Sequence, residues 1–364
     1  SGNYVYSLYS LSTAYNYLIG NQLYNSGFLQ TQLGNTDLKW ETDVTFNIGV
    51  DFGLFNNRLS GSIDYFRRTA KDLLDFRVLP ASNPITSQAF NVGSTRSTGI
   101  ELTLRSQNFE SQNFAWTTLL TLGTSKSYWV ERNPAVTLPQ YIGYNDPIRA
   151  VYGWKTDGLI RSTNEIPKHQ SNAFVGNVKY QDINGDGKLD INDVTYLGNN
   201  DPKATFGLNN TIRFKTIDLS FFIYGAYGNF TNDGYATFVQ LFRLTRPGVP
   251  SNVERHTLDA YTSFNPGGTY PGFANDPAAA NNPTQVNDFR TVENSFFARL
   301  RNVNLGYSLP PIGKQKFVRS LRVFVDFNNL FFVTNVRGLD PEMERNNNPY
   351  PTALTTAFGI TAQF

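Results

Sequence analysis

Over residues 44–52, Val44, Phe46, Ile48, Val50 and Phe52 share one face, while Thr45, Asn47, Gly49 and Asp51 share the other. An apolar period of two is the mark of a strand with one face in an apolar medium. The pattern recurs along the chain. Leu59, Gly61, Ile63 and Tyr65 follow a tight turn at 54–58, then Ile100, Leu102 and Leu104, then Phe114, Trp116, Thr118, Leu120 and Leu122. Phe206, Leu208, Ile212 and Phe214 precede Ile217, Leu219, Phe221 and Ile223, with a turn at 215–218 between them. Further strand-like segments run over 295–309 and 319–331, and the last ends with Leu354, Thr356, Phe358, Ile360, Ala362 and Phe364 on one face. Strands of a soluble sandwich average about 5–6 residues. These segments come closer to the about 9–11 residues of a tilted strand that spans a bilayer.

The opposite faces are small and polar, which suits a wet lumen. Composition points the same way. Charged residues make up only 16% of the chain and aromatics 15%, against about 25% charged in ordinary soluble domains. No run of about 18 apolar residues is present, as a spanning helix would need. Connections alternate in length: short at 54–58, 107–113, 215–218 and 310–318, long at 76–88, 132–202, 232–294 and 332–352. Short turns on one side and long loops on the other are the asymmetry of an outer-membrane barrel. With a weaker first strand near 3–12, the count is about ten strands. Parity puts every long loop outside the cell and the C-terminus, with its terminal aromatic Phe364, in the periplasm. A barrel of that size is narrow for such loops, and open strand edges are not tolerated in lipid. The expected fold is therefore all-β, a transmembrane antiparallel β-barrel, of which the chain is one part. The start at Ser1-Gly2, without a methionine or a signal peptide, reads as a mature or truncated end.

Thirty-one basic residues nearly balance 29 acidic ones, which gives no case for nucleic acid. There are no cysteines, so disulfide and thiolate chemistry are excluded for this sequence. The two histidines, His169 and His256, have no serine or cysteine partner in evident spacing, and no phosphate-binding glycine pattern occurs. Catalysis is not expected.

One stretch carries metal chemistry. From Asp182 to Asp193, oxygen side chains stand at loop positions 1, 3, 5, 9 and 12: Asp182, Asn184, Asp186, Asp190 and Asp193. Gly187 stands at position 6, and Lys188 at position 7 offers a main-chain carbonyl. That is the ligand order of a twelve-residue Ca²⁺ loop, because a hard cation takes six to eight oxygens. The competing reading is a solvated turn rich in Asp and Asn. Asp193 replaces the usual Glu with a shorter arm, so weak affinity is expected, about 10⁻⁴–10⁻³ M as in extracellular modules. Strand-like sequence flanks the loop in place of helices. The expectation is thus a structural staple within loop 132–202, not a calcium sensor.

Several motifs resemble the SusC/RagA-type TonB-dependent outer-membrane transporters of Bacteroidetes. They include Leu33-Gly34-Asn35-Thr36-Asp37-Leu38-Lys39-Trp40-Glu41, the turn and strand from Asn56 to Phe66, Tyr180-Gln181 with the acidic loop, and Gly198-Asn199 with Asp201-Pro202-Lys203. Ser295 through Pro310, Asn328-Asn329-Leu330-Phe331 and Leu339-Asp340-Pro341-Glu342 complete the set. The resemblance implies the C-terminal part of a plugged barrel of about 22 strands, with the plug outside residues 1–364. It also implies an outer-membrane location in contact with lipid, and import of oligosaccharide or peptide fragments. The implied partners are a SusD-like lipoprotein lid and the TonB–ExbB–ExbD complex acting through the plug.

Outer-loop aromatics Tyr141, Tyr144, Tyr152 and Trp154 are candidates for stacking on substrate, with self-packing of the loop as the competing reading. Trp40, Trp116, Trp129 and Tyr307 fit an interfacial girdle better. Asn47, Asp51, Glu101, Arg105, Asn302 and Asn304 face the lumen and either line a path or hold the plug, with a merely solvated interior as the competing reading. A docking barrel in a surface or secretion complex, and a self-contained barrel hydrolase, are the alternative functions.

Overall fold

The computed structural model describes residues 4–12, 17–24, 27–134, 136–232, 258–269, 271–272, 291–309, 320–336, 340–342 and 351–363. His256, Pro310, Leu339, Phe364 and most of 232–294 lie outside the described residues. The strands in chain order are β1 (Leu8–Ser12), β2 (Tyr17–Ile19), β3 (Gln22–Tyr24), β4 (Gly27–Gln32), β5 (Thr42–Leu54), β6 (Leu59–Lys71), β7 (Leu74–Val78) and β8 (Ser87–Asn91). There follow β9 (Ser94–Glu110), β10 (Phe114–Glu131), β11 (Ala150–Trp154), β12 (Thr156–Leu159), β13 (Val178–Tyr180), β14 (Val194–Asn199) and β15 (Ala204–Phe214). The last four are β16 (Ile217–Asn232), β17 (Thr291–Leu309), β18 (Ser320–Thr334) and β19 (Thr355–Gln363).

One nine-stranded sheet runs in the order β19-β18-β17-β16-β15-β10-β9-β6-β5, so its strands follow chain order, with β7–β8 inserted after β6 and β11–β14 after β10. From β10 to β19 every pairing is antiparallel. The expected first strand near 3–12 does not join this sheet. It forms β1, which pairs with β4 as a separate ribbon. The stretch expected as loop 76–88 contains strand residues as well, in the β7–β8 hairpin. The hairpin escapes a sequence reading because strands of five residues carry too few repeats for a period to stand out.

The chain divides into two compact units, one of residues 1–47, 66–98 and 127–148, the other of 48–65, 99–126 and 149–364. In the first, the stretch around Leu33–Glu41 is clipped to β8 by side-chain amides. Asn91 Nδ2 donates to the Lys39 carbonyl at 2.9 Å and its Oδ1 accepts from the Lys39 amide at 2.7 Å. Gln88 Nε2 donates to the Gly34 carbonyl at 2.6 Å, and Asn35 Nδ2 to that of Ala89 at 2.9 Å.

In the second unit, register builds two unlike faces. Trp116 pairs with Ile212, Leu120 with Leu208, Leu208 with Ile223, Leu219 with Leu305, Leu305 with Val325 and Val325 with Phe358. These residues make a continuous apolar face, much of it exposed, with Phe358 at 83% and Ile360 at 72%. The opposite face carries Asp218, Ser220, Asn302, Asn304, Arg322, Asp326 and Asn328. Asn302 Nδ2 donates to Asp326 at 2.8 Å and to Asn328 at 2.9 Å, and Asn304 Nδ2 to Asp326 at 3.3 Å. Arg322 forms a forked pair with Asp218, Nε to Oδ1 at 2.9 Å, and its Nη2 also reaches Asn304. It crosses the intervening strand over Gly306, where any Cβ would collide with the guanidinium. A sheet with one exposed apolar face and one polar, hydrogen-bonded face has the pattern of a membrane barrel wall with lipid outside and a wet lumen inside.

Candidate functional site

The β10–β15 connection is not an extended loop. Its β11 and β14 pair with Tyr152 opposite Tyr196, and β12 and β13 pair with Leu159 opposite Val178. Three single-turn 3₁₀ helices, at 163–165, 168–170 and 191–193, fill the bends. Leu159, Val178 and Tyr180 form a small buried cluster against which Trp154, Leu189 and Tyr261 pack. Polar side chains stitch the rest. Gln170 Nε2 donates to the Val178 carbonyl at 3.1 Å while its Oε1 accepts the Tyr180 amide at 2.7 Å, so one side chain replaces a strand edge. His169 Nε2 donates to the Tyr180 carbonyl at 2.9 Å, a structural use of the ring.

Residues 258–269 and 271–272 of the second long connection dock on this module. Arg161 Nη1 donates to the Pro266 carbonyl at 2.7 Å, its guanidinium lies over the Tyr261 ring at 5.6 Å, and the Gly272 amide donates to the Gly176 carbonyl at 2.8 Å. Gly176 has φ +95°, and a Cβ there would come within 2.8 Å of the Tyr261 ring. Position 176 therefore needs glycine both for its backbone and for the seat of Tyr261.

The acidic loop closes at the end of this module. Asp182 accepts the Gly185 amide on Oδ1 at 2.7 Å and the Gly187 amide on Oδ2 at 2.8 Å. Asn184 Oδ1 accepts from Asp186 at 3.0 Å, and Asp186 Oδ1 from Lys188 at 2.8 Å. These are successive Asx turns, each short side chain folding back on an amide two or more residues ahead. Gly185 and Gly187 supply the positive φ, 74° and 79°. Asp190 Oδ1 accepts the Asn192 amide at 2.7 Å and caps the last 3₁₀ turn. Asp193 is fully buried. Its Oδ1 accepts the Ile183 amide and its Oδ2 the Asp190 amide, both at 2.9 Å, so it joins the two limbs of the loop. Burial raises the proton affinity of Asp182, but the Gly187 and Gly185 amides and the nearby His169 outweigh it and hold its carboxyl below the usual carboxylate value.

The donor set suits a hard cation: carboxylates, an amide and a main-chain carbonyl placed around two glycines. A carboxylate has about four lone-pair sites, so Asp182 and Asp186 keep acceptor capacity after binding their amides. Three features count against tight binding. Asp193 spends one acceptor site of each oxygen inside the loop. Among the described residues, no three His, Cys, Asp or Glu side chains converge as a metal cluster. Asn184 Nδ2 also donates to Asp186 Oδ2 at 3.1 Å and would have to turn away for both oxygens to face one ion.

The four aromatics separate. Tyr152 stacks edge-on with Tyr196 at 6.1 Å between centroids, and Trp154 with Tyr180 at 5.2 Å. Trp154 Nε1 donates to the Asp190 carbonyl at 2.9 Å, which ties the acidic loop to the module core. Tyr141 and Tyr144 belong to the other compact unit. There Arg132 Nε donates to the Tyr144 carbonyl at 2.9 Å, and the Arg132 guanidinium lies over Trp129 at 5.0 Å. Tyr144 keeps 53% of its surface exposed. Gln170, Arg161 and Tyr261 carry no sequence signal, because their partners are carbonyls and rings that no periodicity identifies.

Residues 3–245 match the family model "TonB dependent receptor-like, beta-barrel". The chain belongs to that family. TonB-dependent receptor P3 of Formosa agariphila is 27% identical over 380 residues, covering 95% of this chain and 36% of the relative. TonB-dependent receptor SusC of Bacteroides thetaiotaomicron is 27% identical over 380 residues, covering 98% of this chain and 35% of SusC. Among solved structures, the RagAB peptide importer in its "open-open" state aligns with a TM-score of 0.74 at 24% identity, over all of this chain and 38% of that one. The chain thus spans little more than a third of these relatives. A TonB-dependent receptor barrel is an outer-membrane protein, and the nine-stranded sheet is a portion of its larger barrel. The relatives are named as receptors and importers, in keeping with the lack of catalytic spacing in the sequence.

Proposed function

We propose that this chain forms part of the barrel wall and the folded outer loops of an active importer for glycan or peptide fragments. In this reading a SusD-like lipoprotein covers the outer face, and TonB–ExbB–ExbD drives uptake through the plug. The observation that carries the proposal is the pairing of a one-side-apolar meander with an ordered module in its longest connection. Pore formation alone needs no such module, whereas seating a lid or shaping a substrate cavity does. The names SusC and RagAB, the latter a peptide importer, support the same class. Deleting the complete gene and restoring it tests the idea. Uptake of labelled oligosaccharides or peptides should return only with the intact gene and disappear when TonB is absent or the proton gradient is dissipated. Restoration without TonB, or no uptake of either substrate class, would sink the proposal and favour a docking role.

The acidic loop completes this reading as a Ca²⁺ staple. Asp182, Asn184, Asp186, Asp190 and the Lys188 carbonyl would hold the ion, with Asp193 bracing the loop behind them. Bound, the ion neutralises the clustered carboxylates and fixes the turn. Because the amide network already folds the loop, the added order is modest. Chelation of the full-length protein should make residues 182–193 more open to protease, with recovery on adding Ca²⁺. Equal cleavage with and without the ion would exclude it.

A further inference from the structure

Arg299 is the largest side chain in the described structure with essentially no exposure, 1% of its surface, and it stands on the polar face of the wall. Its partners are remote in sequence. Nη2 pairs with Asp340 and Nε with Glu342, both in the connection from β18 to β19. The flat face of the guanidinium lies on the Phe332 ring at 5.0 Å. Arg301 Nη1 takes the other oxygen of Glu342 at 2.8 Å and its guanidinium stands over Tyr224 at 5.8 Å. Asp340 is held from its own side as well, accepting the Glu342 amide at 3.0 Å and the Thr352 amide at 3.1 Å. Asn329, at φ 57°, donates from Nδ2 to the Ala353 carbonyl at 3.1 Å and pins the returning limb. The cluster contains two guanidinium groups and two carboxylates, so it is neutral. That is the condition under which charges can be kept out of water. The wall gains no strand pairing from it, since β17, β18 and β19 pair without Asp340 or Glu342.

We propose that Arg299 is the bolt of an ionic latch that straps the β18–β19 connection to the inner face of the barrel wall. Asp340 and Glu342 are the catch, and Arg301 keeps Glu342 aligned. While the latch is shut, residues 340–342 and 351–354 are a fixed part of the lumen lining. With Arg299 removed, two carboxylates lose their buried partner and the strap leaves the wall. The latch does not depend on what the protein transports, so a failed uptake assay leaves it standing.

Hydrogen exchange of the full-length protein in detergent, followed on peptides covering 340–342 and 351–354, tests it. Arg299→Met should speed exchange of the Glu342 and Thr352 amides at least tenfold. The peptides of β17 and β18 should exchange as in the unaltered protein, and the barrel should keep its heat-modifiable migration. Arg301→Met should speed the same amides by a smaller factor. Should Arg299→Met fail to fold, Asp340→Asn is the decisive variant, and acceleration of Thr352 by at least threefold is expected. Unchanged exchange in a folded Arg299→Met barrel, or in Asp340→Asn, would overturn the latch. So would exchange at 340–342 in the unaltered protein as fast as in an unstructured peptide.

Discussion

The wall from β15 to β19 and the module between β11 and β14 are held together in opposite ways. The wall has continuous ladders and very few buried side chains; its apolar residues face lipid and its polar ones face each other across strands. The module has short ladders of three to six residues, a three-residue core, and a mesh of side-chain to main-chain bonds. Stability in the wall is spread over many equivalent pairings. In the module it is concentrated in a few side chains, so single substitutions should hurt the module far more than the wall.

The harshest break is Trp154→Ala. It removes the ring packed on Tyr180 and the donor to the Asp190 carbonyl. Truncating a large aromatic in a packed site costs about 3–5 kcal/mol, and the rest of the module's core is small. Residues 150–199 should become open to trypsin at temperatures where the wall still runs as a heat-modifiable band. Concerted loss of both would show that the module is not a separately stabilised region. Next is Asp193→Ala, which strands two amides that now donate to a fully buried carboxylate. Each unsatisfied buried group costs about 1–3 kcal/mol. Exchange at Ile183 and Asp190 should rise at least tenfold, and Asp193→Asn, which keeps one acceptor oxygen, should lie between.

For the wall, Arg322→Met removes a forked pair with Asp218 whose partners are each about 30% exposed. Pairs with that much solvent contact contribute about 0–1 kcal/mol, and the Asn302, Asp326 and Asn328 chain remains. The unfolding temperature of the barrel should move by no more than a few degrees. A shift as large as that of Trp154→Ala in the module would erase the contrast between the two regions.

The same contrast explains what could be read from the sequence. Strands of nine residues or more repeat their two-residue period often enough to be recognised, and the turn between Phe214 and Ile217 fixes register by itself. The nine strands of the large sheet were therefore legible almost in full, and several family motifs lie on them or beside them. The module was legible only as an acidic loop with aromatics nearby. Nothing in the order of residues says that Trp154 meets Asp190, that Gln170 edges Tyr180, or that Tyr261 and Gly272 return to cover Gly176. Arg299 and Asp340 stand 41 residues apart, and three-dimensional return of the chain alone pairs them. The alternation near Asn302 and Asn304 correctly put them on the polar face, but not their bonds to Asp326.

The smallest expected effect is an acid dependence confined to the module. The folded loop holds the Asp182 carboxyl below its ordinary value through the Gly185 and Gly187 amides and His169, against the opposing effect of burial. A depressed carboxylate stabilises the fold fully above its unfolded value, about pH 3.9 for Asp. That contribution is lost as pH falls further, through the folded value. Asp182→Asn cannot titrate, so it should remove this part of the acid response. Cleavage of the module by pepsin should therefore accelerate below about pH 4 more in the unaltered protein than in Asp182→Asn, with the wall unaffected in both. Identical acid profiles would mean that the two glycine amides do not favour the charged form of Asp182. The acidic loop would then be a solvated turn, braced only by the buried Asp193.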